Sequence, residues 1–242
     1  AGNVDINSNL RQILAYYYST GQFNSLSFRT QKTYTYGLNK ICSTKMFGRE
    51  LGDITLKYLT PTHCTELYET WVRSASVDNA NQLSRMFSVV LNFCISLGLI
   101  DRNPMSVVKK RSHKPRSVVW TREQVELFIE KAFSQFKHRN IGLLALMCYE
   151  WGQRPIDIRL LNWESVDFDN KMVTIVQTKR GATVQLPLDS KLKDLLLQQK
   201  EDWGFQEYVI PHQRPSDGSY APIEHSQVST LANEVKALCD LP

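Results

Sequence analysis

The 242 residues are enough for one large domain or two of ordinary size. An apolar content of 42% and a charged content of 22% fit a soluble globular protein. No apolar run approaches the roughly 20 residues a membrane helix needs. The net charge of +5 is unevenly spread: residues 1–118 hold 15 Lys/Arg against 7 Asp/Glu, and residues 119–242 hold 14 against 17. A basic first half joined to a mildly acidic second half suggests a footprint on a polyanion.

The five cysteines (Cys42, Cys64, Cys94, Cys148, Cys239) are odd in number and form no CxxC pair. They are expected to be buried free thiols in a reducing cytoplasm. Cysteine and histidine are not clustered at zinc-ligand spacing, so no metal or other cofactor is expected. The start has neither a basic head nor an apolar block, hence no visible signal peptide. It begins with Ala1 rather than Met, which reads as a processed or engineered start.

Taken in chain order, residues 8–20 predict a helix with Leu10, Ile13, Leu14 and Tyr17 on one face. Residues 27–46 predict another, carrying Tyr34, Leu38, Ile41 and Cys42. Thr60-Pro61-Thr62 opens a third, running to about Arg73. Leu83, Met86, Phe87, Val90, Leu91, Cys94 and Leu97 hold a helical period over 78–98, with Gly98 as the stop. This first unit shows no strand signal. Residues 109–118 then carry Lys109, Lys110, Arg111, Lys114 and Arg116 with no acid and one proline. Two readings stay open: a solvated tether, or a strap across DNA phosphates.

The second unit opens with Thr121-Arg-Glu-Gln124, a capping box, followed by the stripe Val125, Phe128, Ile129 and Ala132. Residues 140–149 are apolar nearly all round and predict a central helix. In Trp151-Gly-Gln-Arg154-Pro-Ile-Asp157-Ile-Arg-Leu-Leu161, Pro155 suits a first helical turn. Residues 172–178 and 183–188 predict two strands of a hairpin turning through Lys179-Arg180-Gly-Ala182. A helix over 190–200, an extended Tyr208–Ile210, a loop over 211–223 and a last helix from about Ser226 complete the chain.

Arg154 follows a buried helix and needs a partner. Asp157, three residues on, supplies one. That pair is either purely structural, or Asp157 orients a guanidinium whose fork of donors grips two phosphate oxygens. Lys179 and Arg180 are either solvated turn charges or cations reaching into a DNA groove.

The stretch Trp151–Asp167 resembles the first arginine box of tyrosine recombinases, the phage integrase family, which reads T-G-x-R-x-x-E-[IL]-x-x-L-x-W-x-D-[IV]-D. Gly152, Arg154, Ile158, Leu161, Trp163, Val166 and Asp167 fall in register, with Asp157 where Glu is usual. Thr178-Lys179 and Val184–Leu188 match the strands that follow. Thr30–Leu38 and Asn103-Pro104 are similar to signatures of the family's helical domain.

The resemblance implies a mainly α fold with a small β component (α+β). An all-helical, SAM-like core-binding domain over 1–108 would be joined by the linker 109–118 to a catalytic domain over 119–242, the two forming a C-shaped clamp on duplex DNA. It implies Arg154 on the scissile phosphate, Lys179 as general acid and Asp157 behind the arginine. The attacking group would be a tyrosine that leaves a 3′-phosphotyrosine and a free 5′-hydroxyl. Lys32, Arg85, Lys109, Lys110, Arg111, Lys114, Arg116 and Arg180 are the expected phosphate contacts. Partners would be a double-stranded recombination site, further recombinase protomers in a tetramer and DNA-bending accessory proteins, in a bacterial cytoplasm at the nucleoid.

The sequence also departs from the family. The second box, H-x-x-R or R-x-x-R, and the tyrosine after it are not present. His212, Arg214, Tyr220 and His225 have the wrong spacing or setting, and Tyr208 reads as strand. The expectation is therefore a catalytic domain cut short, which binds DNA without cleaving it. The rivals are a non-catalytic regulator on the same fold and a protein–protein module unrelated to DNA.

Overall fold

The computed structural model describes residues 4–112 and 117–242. The chain divides into two compact units, Ala1–Pro115 and Arg116–Pro242, each with its own apolar core.

In the first unit, α1 (Leu10–Ser19) starts at a reciprocal cap between Asn9 and Gln12 and is followed by the single turn α2 (Gly21–Asn24). Helix α3 (Phe28–Cys42) leads into two short strands, β1 (Lys45–Met46) and β2 (Arg49–Glu50). Helices α4 (Pro61–Ser74) and α5 (Val77–Ser96) complete the unit. Thr60 and His63 cap α4 reciprocally, with Pro61 in the first turn, where its missing N–H is not needed. The helical stripes converge on one core that buries Tyr17, Leu38, Ile41, Leu67, Trp71, Phe87 and Leu91. Trp71 meets Phe87 edge-on at 6.4 Å between ring centroids, and its indole N–H donates to the Thr44 hydroxyl at 2.9 Å.

Two expectations are corrected here. The second predicted helix stops at Cys42 rather than residue 46. The unit also does contain strands, because β1 and β2 pair antiparallel (Lys45 opposite Glu50, Met46 opposite Arg49). The cause is the turn: Phe47 and Gly48 both take positive φ (52° and 74°), the geometry that closes a two-residue hairpin.

In the second unit, α6 (Arg122–Phe133) begins at the Thr121–Gln124 capping box and packs on α7 (Arg139–Trp151), which buries Ile141, Leu143, Leu144 and Met147. The short α8 (Pro155–Arg159) follows. A three-stranded antiparallel sheet runs in the order β3 (Val166–Asp167), β4 (Met172–Val176), β5 (Thr183–Pro187). Val173 and Ile175 of β4 point into the core, as strand alternation requires. Helix α9 (Ser190–Trp203) inserts Leu192 and Leu196, and α10 (His225–Leu238) is seated on Val235. The predicted loop 211–223 instead contains a second small hairpin, β6 (Pro211–Gln213) with β7 (Tyr220–Pro222), so His212 and Tyr220 are strand residues. None of the described helices is long and apolar enough to cross a membrane.

Candidate functional site

The site is built where α7 ends. Gly152 terminates α7 in the left-handed region (φ 61°), its N–H donating to the Cys148 carbonyl at 3.0 Å. Glycine adopts this conformation without the Cβ penalty. The reversal brings Arg154 to the N-cap of α8 in extended backbone (ψ 143°), with Pro155 in the first turn. Ile158 and Leu161 consequently turn into the core, while the Arg154 side chain stays 44% exposed.

Behind it, the Asp157 side chain is fully buried. Its Oδ1 accepts from both the backbone N–H of Thr178 (2.8 Å) and the Thr178 hydroxyl (2.7 Å). Its Oδ2 lies 3.7 Å from the Arg154 guanidinium and has no hydrogen-bond partner among the described residues. At that distance the arginine is attracted electrostatically, but its N–H donors are not consumed. A buried carboxylate thus holds a cation from behind and leaves its outer fork open to an anion.

The second cationic element is the β4–β5 turn. Gln177 and Ala182 close it through Gln177 N–H to Ala182 O (2.8 Å), and Gly181 N–H returns to Gln177 O (2.8 Å). Gly181 takes φ 66°, completing a four-residue loop that lifts Thr178, Lys179 and Arg180 off the sheet. Lys179 and Arg180 are exposed, and neither side chain has a partner among the described residues. Three ties hold this hairpin to the arginine segment: Thr178 to Asp157, Gln177 to Gln153 (2.8 Å), and the Trp151 indole N–H to Pro187 O (3.1 Å).

The structure therefore brings Asp157 to Arg154 and to the residue preceding Lys179. Sequence reasoning did not single out Gln153 or Gln177, whose contact spans 24 positions. No local spacing carries that information.

The other expected cations are scattered. Lys32 is exposed on α3, its ammonium 4.7 Å from the Phe28 ring centroid, and Arg85 is exposed on α5. Lys109 and Lys110 are exposed. Arg111 departs from the tether reading. Its N–H donates to Tyr68 Oη (2.7 Å), its carbonyl accepts from Asn81 (3.0 Å), and its guanidinium pairs with Glu69 (2.5 Å). The beginning of the basic stretch is thus fastened to the first unit. Lys114 and Arg116 lie outside the described residues.

Tyr208 forms an isolated backbone bridge with Asn162, and the Tyr220 ring packs against Trp203 and Phe205. His212 accepts from or donates to Gln227 at 2.8 Å.

Comparison with known proteins places these features in context. The phage integrase family model matches residues 119–241, just over half of the chain, and the chain belongs to that family. The integrase of Shigella phage Sf6 is 22% identical over 162 residues, covering 63% of this chain and 42% of that protein. The prophage integrase IntS of Escherichia coli K12 matches to the same extent. The chain thus spans about two fifths of the length of these relatives.

Among solved structures, a lambda integrase dimer bound to a COC′ core site superposes with a TM-score of 0.78 at 18% identity, covering 96% of this chain and 64% of that one. A lambda integrase tetramer bound to a Holliday junction gives 0.79 at 17% identity, covering 98% and 68%. The Tn1549 transposon integrase in complex with circular intermediate DNA gives 0.74 at 13%, covering 96% and 78%. At these identities the likeness establishes the fold.

Proposed function

We propose that this chain is a duplex-DNA-binding part of a site-specific recombinase, with Arg154 on a backbone phosphate and Lys179 beside it. The observation that carries the reading is the Asp157 carboxylate: buried, shared between Arg154 and the lysine-bearing hairpin, and leaving the guanidinium fork open. An arginine held this way presents parallel N–H donors to two non-bridging oxygens of a phosphodiester. It offsets the charge that develops there when the phosphorus is attacked. The exposed ammonium of Lys179 is a proton source for a departing 5′ oxygen. In the complete reaction a tyrosine attacks, leaving a 3′-phosphotyrosine whose bond energy is kept for religation by the partner strand's hydroxyl.

The basic first unit supports duplex binding through Lys32, Arg85, Lys109 and Lys110, joined by Lys114 and Arg116. Arg180 adds a contact at the hairpin. Arg111 joins them by exchanging Glu69 for a phosphate, since an exposed ion pair is readily exchanged. The relatives solved on DNA as a dimer and a tetramer support assembly with further protomers on the recombination site; DNA-bending accessory proteins and action at a bacterial nucleoid belong to the same reading. The settings of Tyr208 and Tyr220 favour binding without cleavage by this chain alone.

Gel-shift titrations over a range of salt test the reading. Affinity is expected to fall log-linearly with salt, with a slope of about −0.9 per phosphate neutralised. A nicked suicide substrate is expected to give no covalent adduct. Salt-independent binding would contradict the first half of the proposal, and an adduct the second.

A further inference from the structure

Gln153 lies between the left-handed Gly152 and Arg154. Its side-chain N–H donates to the Trp151 carbonyl (3.2 Å) at the end of α7, and its Oε1 accepts from Gln177 Nε2 (2.8 Å). Carbonyls at a helix end lack intrahelical partners, so the first of these bonds ties Gln153 to a rigid element. Gln177 is the residue on which the hairpin loop closes: its N–H donates to the Ala182 carbonyl, and its C=O accepts from the N–H groups of Gly181 and Arg180. Pinning its side chain therefore pins the root of the loop that carries Lys179. Both glutamines are partly buried, so the bond is partly shielded from water.

We propose that Gln153 and Gln177 are a positioning pair. Their hydrogen bond registers the Lys179 loop against the end of α7 through side chains that do not bond the Arg154 guanidinium. This rests on the assignment of Arg154 and Lys179 above. Thr178 and Asp157 form the other strut of the same loop, but Asp157 also orients Arg154, so removing it disturbs both cations. Gln153 adjoins Arg154 in the chain, but the side-chain bonds of the glutamine pair run to the Trp151 carbonyl and to each other and leave Arg154 and Asp157 untouched. The two arms are thus separable by mutation.

The test is lysine footprinting by acetylation and mass spectrometry on the whole chain, with and without saturating mixed-sequence duplex. Labelling of Lys179 is normalised to Lys191 on α9. The unaltered chain should show Lys179 protected by DNA. Gln153→Leu and Gln177→Leu should each reduce that protection about fivefold, the size of one neutral hydrogen bond, while the DNA Kd changes less than about twofold. The double variant should be no worse than either single one, because each removes the same bond. Gln153→Glu keeps the acceptor for Gln177 but loses the donor to the Trp151 carbonyl, so its protection should fall between that of the unaltered chain and that of Gln153→Leu.

Protection unchanged in both Leu variants, or additive losses in the double variant, would overturn the pairing. Absence of Lys179 protection in the unaltered chain would overturn the functional assignment and the pairing with it. Gly181 amide exchange in the DNA-free chain provides a second reading. It should quicken most in the Leu variants and less in Gln153→Glu; exchange equal to that of the unaltered chain in all of them would contradict the latch.

Discussion

The two units each carry a hairpin with cations and a glycine near its tip, yet the hairpins are built to different ends. In β1–β2, Lys45 and Arg49 flank a tight turn whose Phe47 folds back to meet the His63 ring at 4.7 Å. Its base is clasped by Arg11, which pairs with Glu50 and, at 3.0 Å, with Asp53, all of them solvent-exposed. In β4–β5, the longer loop holds Lys179 and Arg180 outward, and its base is fixed by the buried Asp157 and by Gln153. One arginine has its donors consumed by two acids; the other has an acid behind it and an open face. A basic residue near a glycine turn is therefore weak evidence of a site. What holds the root, and whether the cation is already neutralised, decides.

The largest effect should come from the cores. Trp71→Ala is expected to destabilise the first unit by about 3–5 kcal/mol, through lost apolar burial plus a cavity. If the units have separate cores, as the two apolar clusters indicate, the thermal transition of the second unit should stay in place. Differential scanning calorimetry would show this, and a common downward shift of both transitions would break the comparison.

Next comes Asp157→Ala, which leaves the Thr178 donors unsatisfied and Arg154 without its buried counter-charge. A loss of about 1–3 kcal/mol in the second unit is expected. Thr178→Val on its own should cost less than half as much, because it removes one hydroxyl bond and spares the arginine. Urea denaturation followed by tryptophan fluorescence distinguishes the two.

A smaller, pH-dependent effect concerns α10. Glu234 accepts from His138 Nε2 (2.8 Å) and Lys137 (2.6 Å) at the start of α7, and these bonds, His138 first, hold its carboxyl below the usual range. A depressed folded-state value contributes stability that is present above the unfolded value and is lost as pH falls through the folded one. The second unit should weaken below the ordinary glutamate range, and Glu234→Gln should flatten that limb of an acid titration followed by circular dichroism. The smallest signal is thiol reactivity: burial pushes Cys64 and Cys94 up to about 12, so neither should react with a thiol reagent at neutral pH until the first unit unfolds.

Much of this was legible in the sequence where a long period or a cap repeats a physical constraint. The stripe of α5, the Thr121 capping box and the β4–β5 turn all appear where their patterns place them. The hairpins at 45–50 and 211–222 did not, because strands of two or three residues are too short to show alternation. Arg154 and Asp157 stand in one short local stretch and Lys179 in another, and it is the resemblance of these stretches to the family's arginine box and the hairpin after it that singles them out. The Gln153–Gln177 and Arg111–Glu69 contacts join residues 24 and 42 positions apart, and only the folded chain reveals them.

Arg154 and Arg11 differ in whether their donors are already taken by acids. DNA affinity should be measured for Arg154→Gln and Arg11→Gln across salt. Arg154→Gln is predicted to weaken binding roughly tenfold and to lower the salt slope by about 1, as for one lost phosphate contact, while Arg11→Gln leaves both unchanged. Equal effects of the two substitutions, or an Arg154→Gln chain that binds as before, would contradict the assignment of Arg154 to a phosphate.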